Sequence, residues 1–293
     1  MTVVFDYDTA FARNLGWLTR TEQRTLRGKC VAIAGLGGVG GLHLLTLVRL
    51  GVGRFHLAEF DTFDLVNFNR QVGASLSSVG RPKLEVMGAM VRDINPTVEI
   101  ADFPEGVNES NVDAFLAGAD LFVDGLDFFA IAARELVFAE CARRGIPATT
   151  VAPLGMGAAL LNFMPGKMGF AEYFGFDQST EDEKPLRFLI GLAPAMLHRR
   201  YLVDPSFVDL ASGRGPSTAM ACQICAGVAA TEALKILVGR GRVLVAPRGV
   251  HFDAYRNKLI STWRPGGYRH PMQRTLFALA RRQFARMRSV APR

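Results

Sequence analysis

Cysteine is scarce in this chain, with four residues among 293. A disulfide scaffold packs more cysteines into less sequence, so reduced thiols and a cytoplasmic protein are expected. Residues 1–8 lack a basic start followed by an apolar run, and no signal peptide is read there. Long apolar runs are missing too. The longest stretch without charge, Gly145 to Gly166, holds Pro147, Pro153 and Pro165 and four glycines. That composition suits buried strands and turns and excludes a membrane span. Acidic residues are absent from Ala254 to Arg293, where ten of the 34 Lys and Arg lie. The rest of the chain carries the other 24 basic residues against all 27 acidic ones, a net of −3. The formal charge of +7 therefore belongs to the C-terminal end, and nucleic acid is not expected as a partner. What remains is a globular chain, 49% hydrophobic and long enough to bury a substantial core.

Apolar runs alternate with helical spacing along the first half. Residues 9–27 read as a helical lead-in. Strands are expected at Cys30–Ala34, Arg54–Phe60, Val98–Phe103, Leu121–Asp124 and Ala148–Ala152. Helices are expected at Gly41–Leu50, Lys83–Asn95, Asn111–Ala117 and Ile131–Arg144. This is the doubly wound α/β pattern. It stops near residue 155. Leu160–Phe163 and Met168–Phe170 then suggest a hairpin around the turn Met164–Lys167, and residues 171–220 read as a long irregular loop of the kind that recognises substrate. Ala226–Val238 returns as helix, Val243–Val245 and Gly249–Phe252 as strands. The expected fold is a Rossmann-like doubly wound sheet continued by antiparallel strands into one mixed sheet. It divides into the lead-in (1–27), a nucleotide-binding body (28–265) and a basic helical extension (266–293). In that extension Leu276, Ala280, Phe284 and Met287 form an apolar stripe.

The densest chemistry lies between Val31 and Arg70. Gly35, Gly37 and Gly40, with Gly38 between them, form G-x-G-x-x-G directly after a strand and at the start of a helix. Such a loop turns tightly, lets backbone approach phosphate, and offers the free N–H groups of a helix N-terminus. Glu59 and Asp61 end the second strand, where a carboxylate usually holds ribose hydroxyls. To this point NAD and ATP are equally well served. Asn67, Asn69 and Arg70 follow, then Lys83 after Arg81-Pro82. So many donors of phosphate-binding type favour nucleotidyl transfer, in which charge builds on a leaving pyrophosphate. Asp127, just past a strand at the carboxyl edge of the sheet, is suited to Mg²⁺ held on phosphates.

The segments AGLGGVGG (34–41), GVGRFHLAEFDTFDLVNFNRQ (51–71), RPK (81–83), INP (94–96), VDGLD (123–127) and TEALKIL (231–237) together resemble the ubiquitin-activating-enzyme-like family, also called the ThiF/MoeB/HesA family, over roughly residues 10–260. The resemblance implies an ATP- and Mg²⁺-dependent adenylyltransferase that is a homodimer. Its substrate would be a carboxylate, such as the C-terminus of a ubiquitin-like protein or peptide. It implies that Asn67, Arg70 and Lys83 contact the ATP phosphates and that Asp127 organises Mg²⁺. It also implies that Arg13 crosses into the partner's site.

Departures from the family pattern carry their own expectations. Glu59 stands where Asp is usual, so either Glu59 or Asp61 holds the ribose. Phe128 follows Asp127 where Asn is frequent. The two separated C-x-x-C pairs that bind zinc in many members are missing, so no zinc is expected. Cys222 and Cys225 do form one C-x-x-C, which reads as core packing, a zinc site shared across a dimer, or a reactive thiol. The family's transfer cysteine belongs in the segment LASGRGPST, which has none, so acyl transfer would fall to another nucleophile. His198, Arg199 and Arg200 are candidates to meet a substrate carboxylate, or are simply a solvated turn. Two other function classes stay open from sequence: an NAD(P)-dependent oxidoreductase, and a non-catalytic scaffold member of the same family.

Overall fold

β-branched and aliphatic runs with no polar face can only be buried on both sides, and Cys30–Ala34 and Leu121–Val123 are of that kind. Every residue of Cys30–Ala34 and of Leu121–Asp124 is buried. The computed structural model describes residues 4–208 and 215–290, with residues 283–290 as backbone only. In chain order it forms α1 (Tyr7–Ala10), α2 (Arg20–Gly28), β1 (Cys30–Ala34), α3 (Gly40–Leu50), β2 (Arg54–Ala58), α4 (Lys83–Ile94), β3 (Glu99–Phe103), α5 (Val112–Phe115), β4 (Leu121–Asp124) and α6 (Ile131–Arg144). Then come β5 (Ala148–Leu154), β6 (Gly157–Phe163), α7 (Phe170–Phe174), α8 (Lys184–Leu192), α9 (Ala219–Val238), β7 (Arg248–Asp253), β8 (Lys258–Trp263) and α10 (Pro271–Val290).

One sheet of eight strands runs in the order β3-β2-β1-β4-β5-β6-β7-β8. β3, β2, β1, β4 and β5 are parallel. β6, β7 and β8 continue antiparallel. The expected mixed sheet is therefore present. Chain order reverses between β1 and β4, and such a switch opens a crevice beyond the carboxyl ends of the strands. One face of the sheet packs Leu44, Val48, Met87 and Ala229 of α3, α4 and α9. The other packs Phe115, Phe138, Tyr173, Phe174 and Phe188 of α5 to α8.

Of the described helices, α9 is long and apolar enough to cross a membrane. Here it lies against α3, β5 and β6. Ala221, Cys222, Cys225, Ala226, Ala229 and Ala233 form its buried face, and their small side chains allow close approach to the sheet. Glu232, in the TEALKIL segment, fastens it there. The Asn162 amide of β6 donates to the Glu232 carboxylate at 2.8 Å and to Leu244 O at 2.9 Å. Asn162 Oδ1 accepts from Thr149 Oγ1 at 2.8 Å, and Lys235 pairs with Glu232.

The second half departs from the sequence expectation in three places. The hairpin is β5–β6, turning at Gly155, which adopts φ +62°. Residues 164–167 instead lead into α7, because Phe170, Tyr173 and Phe174 recur at helical spacing and all are buried. Nor is the stretch after 171 an irregular loop. It carries α7, α8 and short 3-10 turns around an aromatic cluster in which Phe170 stacks on Phe138 at 4.2 Å and Phe174 lies 5.0 Å from Phe188. Residues 209–214 of that stretch lie outside the described residues. Finally, Val243–Val245 joins no ladder, while Lys258–Trp263 forms the edge strand β8. The basic extension is helical as expected. Of its apolar stripe Leu276 and Ala280 are half-buried, and the side chains of Phe284 and Met287 fall outside the described residues.

If residues 170–192 are core, Phe174→Ala should cost about 3–5 kcal/mol of stability. Urea unfolding followed by circular dichroism measures this. An unchanged midpoint would mean the segment is peripheral.

Candidate nucleotide site

The glycine loop fills the crevice between β1 and β4, and it fits only without side chains. Gly35 adopts φ +84°, and a Cβ there would lie 2.3 Å from Gly125 O. A Cβ on Gly40 would lie 1.8 Å from Gly35 O, and one on Gly125 2.4 Å from the same oxygen. The loop after β1, the start of α3 and the loop after β4 are thus in backbone contact. Gly35 N donates to Ala58 O at 2.8 Å and Gly125 N to Ala34 O at 3.0 Å, closing the strand ends over one another. Helix α3 starts at Gly40 with Val39 before it and no side-chain cap. Gly41 N donates to Gly37 O at 3.2 Å and His43 N to Val39 O at 2.8 Å, so of the first turn the N–H groups of Gly40 and Leu42 face the loop without a backbone acceptor, beside the positive end of the helix dipole.

Glu59 is buried and turned back onto backbone. Its Oε2 accepts from Leu36 N at 2.7 Å, and its Oε1 from Phe60 N at 2.9 Å and Asp61 N at 3.0 Å. The extra methylene relative to Asp lets one carboxylate fasten both the glycine loop and the turn after β2. Asp61 is more open, with its side chain 54% exposed and 3.1 Å from Lys83 Nζ. Lys83 opens α4 and is buried. Its backbone N donates to Asp61 O at 2.9 Å.

Asn67 Oδ1 accepts from Asp64 N at 3.0 Å and caps the short turn Leu65–Asn67. Asn69 bridges two segments. Its Nδ2 donates to Ser217 O at 2.9 Å, and its Oδ1 accepts from Arg70 Nη1 at 2.9 Å. Arg70 Nη1 also donates to Val66 O at 3.0 Å. The Arg70 stem faces the glycine loop: a Cβ on Gly38 would stand 3.4 Å from Arg70 Cγ, and 3.2 Å from Cys222 Sγ. Asp127 is exposed, and its Oδ1 accepts from Phe129 N at 2.9 Å.

The loop carrying Asp127 is fixed by a residue that sequence reasoning missed. Arg134 of α6 is 2% exposed and pairs with Asp124, equally buried, at 2.8 Å. Its Nη2 donates to Leu126 O at 2.8 Å and Asp127 O at 3.0 Å. Its guanidinium lies 4.6 Å from the Phe188 ring centroid. One planar fork thus holds the Asp124 carboxylate and the carbonyls of Leu126, Asp127 and, at 3.4 Å, Phe128 in place. An arginine inside an ordinary amphipathic helix gave no sequence signal of this.

Of the readings open for Cys222 and Cys225, core packing fits their burial. Cys222 and Cys225 are fully buried. Burial raises the Cys222 thiol, with the Ser217 hydroxyl and the Arg70 charge pulling the other way, and burial raises Cys225 well above the ordinary thiol value. Both therefore sit as neutral apolar packing groups. Among the described residues no group of three or more His, Cys, Asp or Glu is placed to hold a metal ion. His198 turns inward to 6.0 Å from the His251 ring, away from solvent. Burial lowers its pKa, and lowers that of His251 to about 4. Arg200 is exposed on a turn. Arg13 is exposed too. It lies beside Asn14, whose amide donates to Arg49 O and Leu50 O at the end of α3 remote from the glycine loop.

The comparisons agree with this frame. The ThiF family model matches residues 11–275, and the chain belongs to the ThiF family. It is 37% identical over 150 residues to the tRNA threonylcarbamoyladenosine dehydratase of Bacillus subtilis, covering 51% of this chain and 57% of that protein. It is 35% identical over 144 residues to the vegetative HesA protein of Trichormus variabilis, covering 49% and 54%. To the SAMP-activating enzyme E1 of Haloferax volcanii it is 35% identical over 125 residues, covering 43% and 46%. The chain thus spans about half the length of these curated relatives. Among solved structures, PaaA superposes with a TM-score of 0.66 at 16% identity, covering 89% of this chain and 74% of that one. E. coli MccB solved with ATP gives 0.64 at 21% identity, covering 89% and 73%. These structures share the fold.

Because the Arg134–Asp124 pair is wholly buried, Arg134→Met should lower stability by about 3–5 kcal/mol, leaving Asp124 charged and unpaired. The double variant with Asp124→Leu should recover much of that loss. Paired urea titrations measure both. A loss below about 1 kcal/mol in the single variant would show that the pair does not hold the loop.

Proposed function

We propose that this ThiF-family protein adenylates a substrate carboxylate with ATP. The observation that carries the reading is the meeting of an uncapped helix start and side-chain-free glycine loop with Arg70 and, across the turn after β2, Lys83. A hydride transfer releases no pyrophosphate whose charge those two cations would neutralise. In the proposed step a carboxylate oxygen attacks the α-phosphorus, the bond from that phosphorus to the bridging oxygen breaks, and its electron pair leaves with pyrophosphate. The product is an acyl adenylate. No enzyme nucleophile is required, so positioning and charge stabilisation supply the catalysis.

Each residue has a role in that reading. The N–H groups of Gly37, Gly38 and the first turn of α3 hold phosphate oxygens. Arg70 and Lys83 balance the charge on leaving pyrophosphate. Asn67 and Asn69 set the turn that carries Arg70. Asp61 is assigned to the ribose, and Glu59 to holding the loop that shapes the site. Asp127 fits Mg²⁺, which takes one or two carboxylates together with substrate phosphates and does not need a cage of protein ligands. Bound there, the ion would neutralise phosphate charge.

The substrate class we propose is the C-terminal carboxylate of a ubiquitin-like protein or peptide. The SAMP-activating relative and the solved complexes of E. coli MccB with MccA support it. We further propose a homodimer. Phe60, Leu65, Val66 and Leu76 are 61–83% exposed around the Asn67–Arg70 turn, and such a patch marks an association surface. Arg13, whose neighbour Asn14 bonds the end of α3 remote from the glycine loop, would complete the partner's site. The four free, buried cysteines fit a reducing, cytoplasmic setting.

Arg70→Ala should slow pyrophosphate release by roughly 10²–10³-fold, assayed with ATP, Mg²⁺ and peptides that end in a free carboxylate. An unaltered rate in a variant that still binds ATP would remove Arg70 from the reaction.

A further inference from the structure

The short turn Leu197–Arg200 packs on the tip of the β5–β6 hairpin and brings two histidines together. His251 of β7 is 1% exposed, and neither of its ring nitrogens has a hydrogen-bond partner among the described residues. The His198 ring lies 6.0 Å from it, with its own Nδ1 buried and unpaired. Neutral rings of this kind cost some stability, but a charged ring with no acceptor at that depth costs far more. Asp253 lies two residues along β7, on the same face as His251, and favours protonation of both rings. Its oxygens are already engaged. Oδ2 accepts from Tyr201 Oη at 2.7 Å and Oδ1 from Arg256 N at 2.9 Å. Arg199 opposes protonation of His198, and His198 opposes that of His251. Lys258, opposite Asp253 in the β7–β8 register, adds an exposed cation on that side. The Tyr201 hydroxyl, pushed up to about 12 mainly by burial, stays neutral.

The same hairpin tip is tied to the nucleotide crevice. On one side Met156 N donates to Tyr201 Oη at 2.8 Å, and a Cβ on Gly155 would stand 2.6 Å from His198 Cβ. On the other, Gly155 O accepts from Thr218 Oγ1 at 3.2 Å. The adjacent Ser217 O receives the Asn69 amide, whose oxygen accepts from Arg70. A movement of the histidine turn therefore acts on an anchor shared with the Asn69–Arg70 corner.

We propose that the His198–His251 contact is a proton-operated latch: in mild acid the imidazoles charge, the turn Leu197–Tyr201 leaves β7 and the hairpin, and the link from Gly155 through Ser217 to Asn69 loosens. With the latch closed, burial holds His251 at about 4; released, it returns to the ordinary value of about 6.5. The closed form thus binds fewer protons. It is favoured above about pH 6.5 and loses ground as pH falls toward about 4. Between pH 7 and pH 5 His251 alone shifts the equilibrium about 20-fold toward release, and His198, lowered for the same reason, acts in the same direction. The latch does not rest on the adenylation reading; on that reading, release would loosen the corner that carries Arg70.

Hydrogen exchange read by mass spectrometry on the full chain at pH 7 and pH 5, corrected for the intrinsic exchange rate at each pH, tests this. Protection of peptides covering residues 155–157, 197–201 and 66–71 should fall about 20-fold at pH 5, while peptides covering 30–34 in β1 keep theirs. His251→Leu should reduce that fall at least about 3-fold, and the double variant with His198→Leu should abolish it. Melting temperatures at pH 7 verify that the variants fold, and the unaltered protein decides the matter if they do not. Unchanged protection of 197–201 at pH 5, or an equal loss in β1 that marks uniform destabilisation, overturns the proposal. So does a full response to pH in the folded double variant. Release confined to 197–201, with 66–71 unaffected, overturns the link to the crevice.

Discussion

The structure depends on one steric constraint: three backbone segments meet where no side chain fits. Gly35, Gly40 and Gly125 bring the end of β1, the start of α3 and the end of β4 closer than any Cβ allows. That contact fixes where α3 begins, and hence where its unpaired N–H groups and dipole end point. It also brings the Asp127 loop beside the glycine loop, since Gly125 lies only two residues upstream. With a methyl group at any of the three, the strands would have to separate or the helix retreat. The crevice at the reversal of strand order would then lose its shape.

Buried polar groups hold the rest of the site around that contact. Glu59 spends three acceptor positions on backbone N–H groups and so joins the glycine loop to the turn after β2. Arg134 does the same for the loop after β4, using Asp124 and successive carbonyls. Such networks are costly if incomplete and rigid when satisfied, which suits a site whose chemistry relies on position. The side chains assigned to phosphate, Arg70 and Lys83, sit on segments tied to this frame through Asn69 and Asp61.

The parallel half of the fold was legible because buried parallel strands and amphipathic helices leave strong periodic signals, and glycine and proline mark their ends. Gly35, Gly37 and Gly40 were legible for the same reason, since only their residue type permits the backbone path. The second half was harder to read. Met168–Phe170 reads as a strand because two apolar residues around a glycine carry no period. The burial of Phe170, Tyr173, Phe174 and Phe188 came from tertiary packing that no local window contains. Glu59 sat where sequence expects a ribose ligand, but its bond to Leu36 N is set by a loop 23 residues away. Arg134 was invisible for a similar reason: its partners lie in a loop, and its burial depends on Phe188 from a distant helix.

The central claim is that this crevice is an ATP–Mg²⁺ site built for nucleotidyl transfer. Calorimetry comparing ATP with Mg²⁺, ATP with EDTA, and NAD tests it without knowledge of the substrate. The account predicts saturable ATP binding that weakens at least about 10-fold when Mg²⁺ is chelated, and weaker or no binding of NAD. Tight NAD binding indifferent to Mg²⁺, or no binding of either nucleotide, would contradict it.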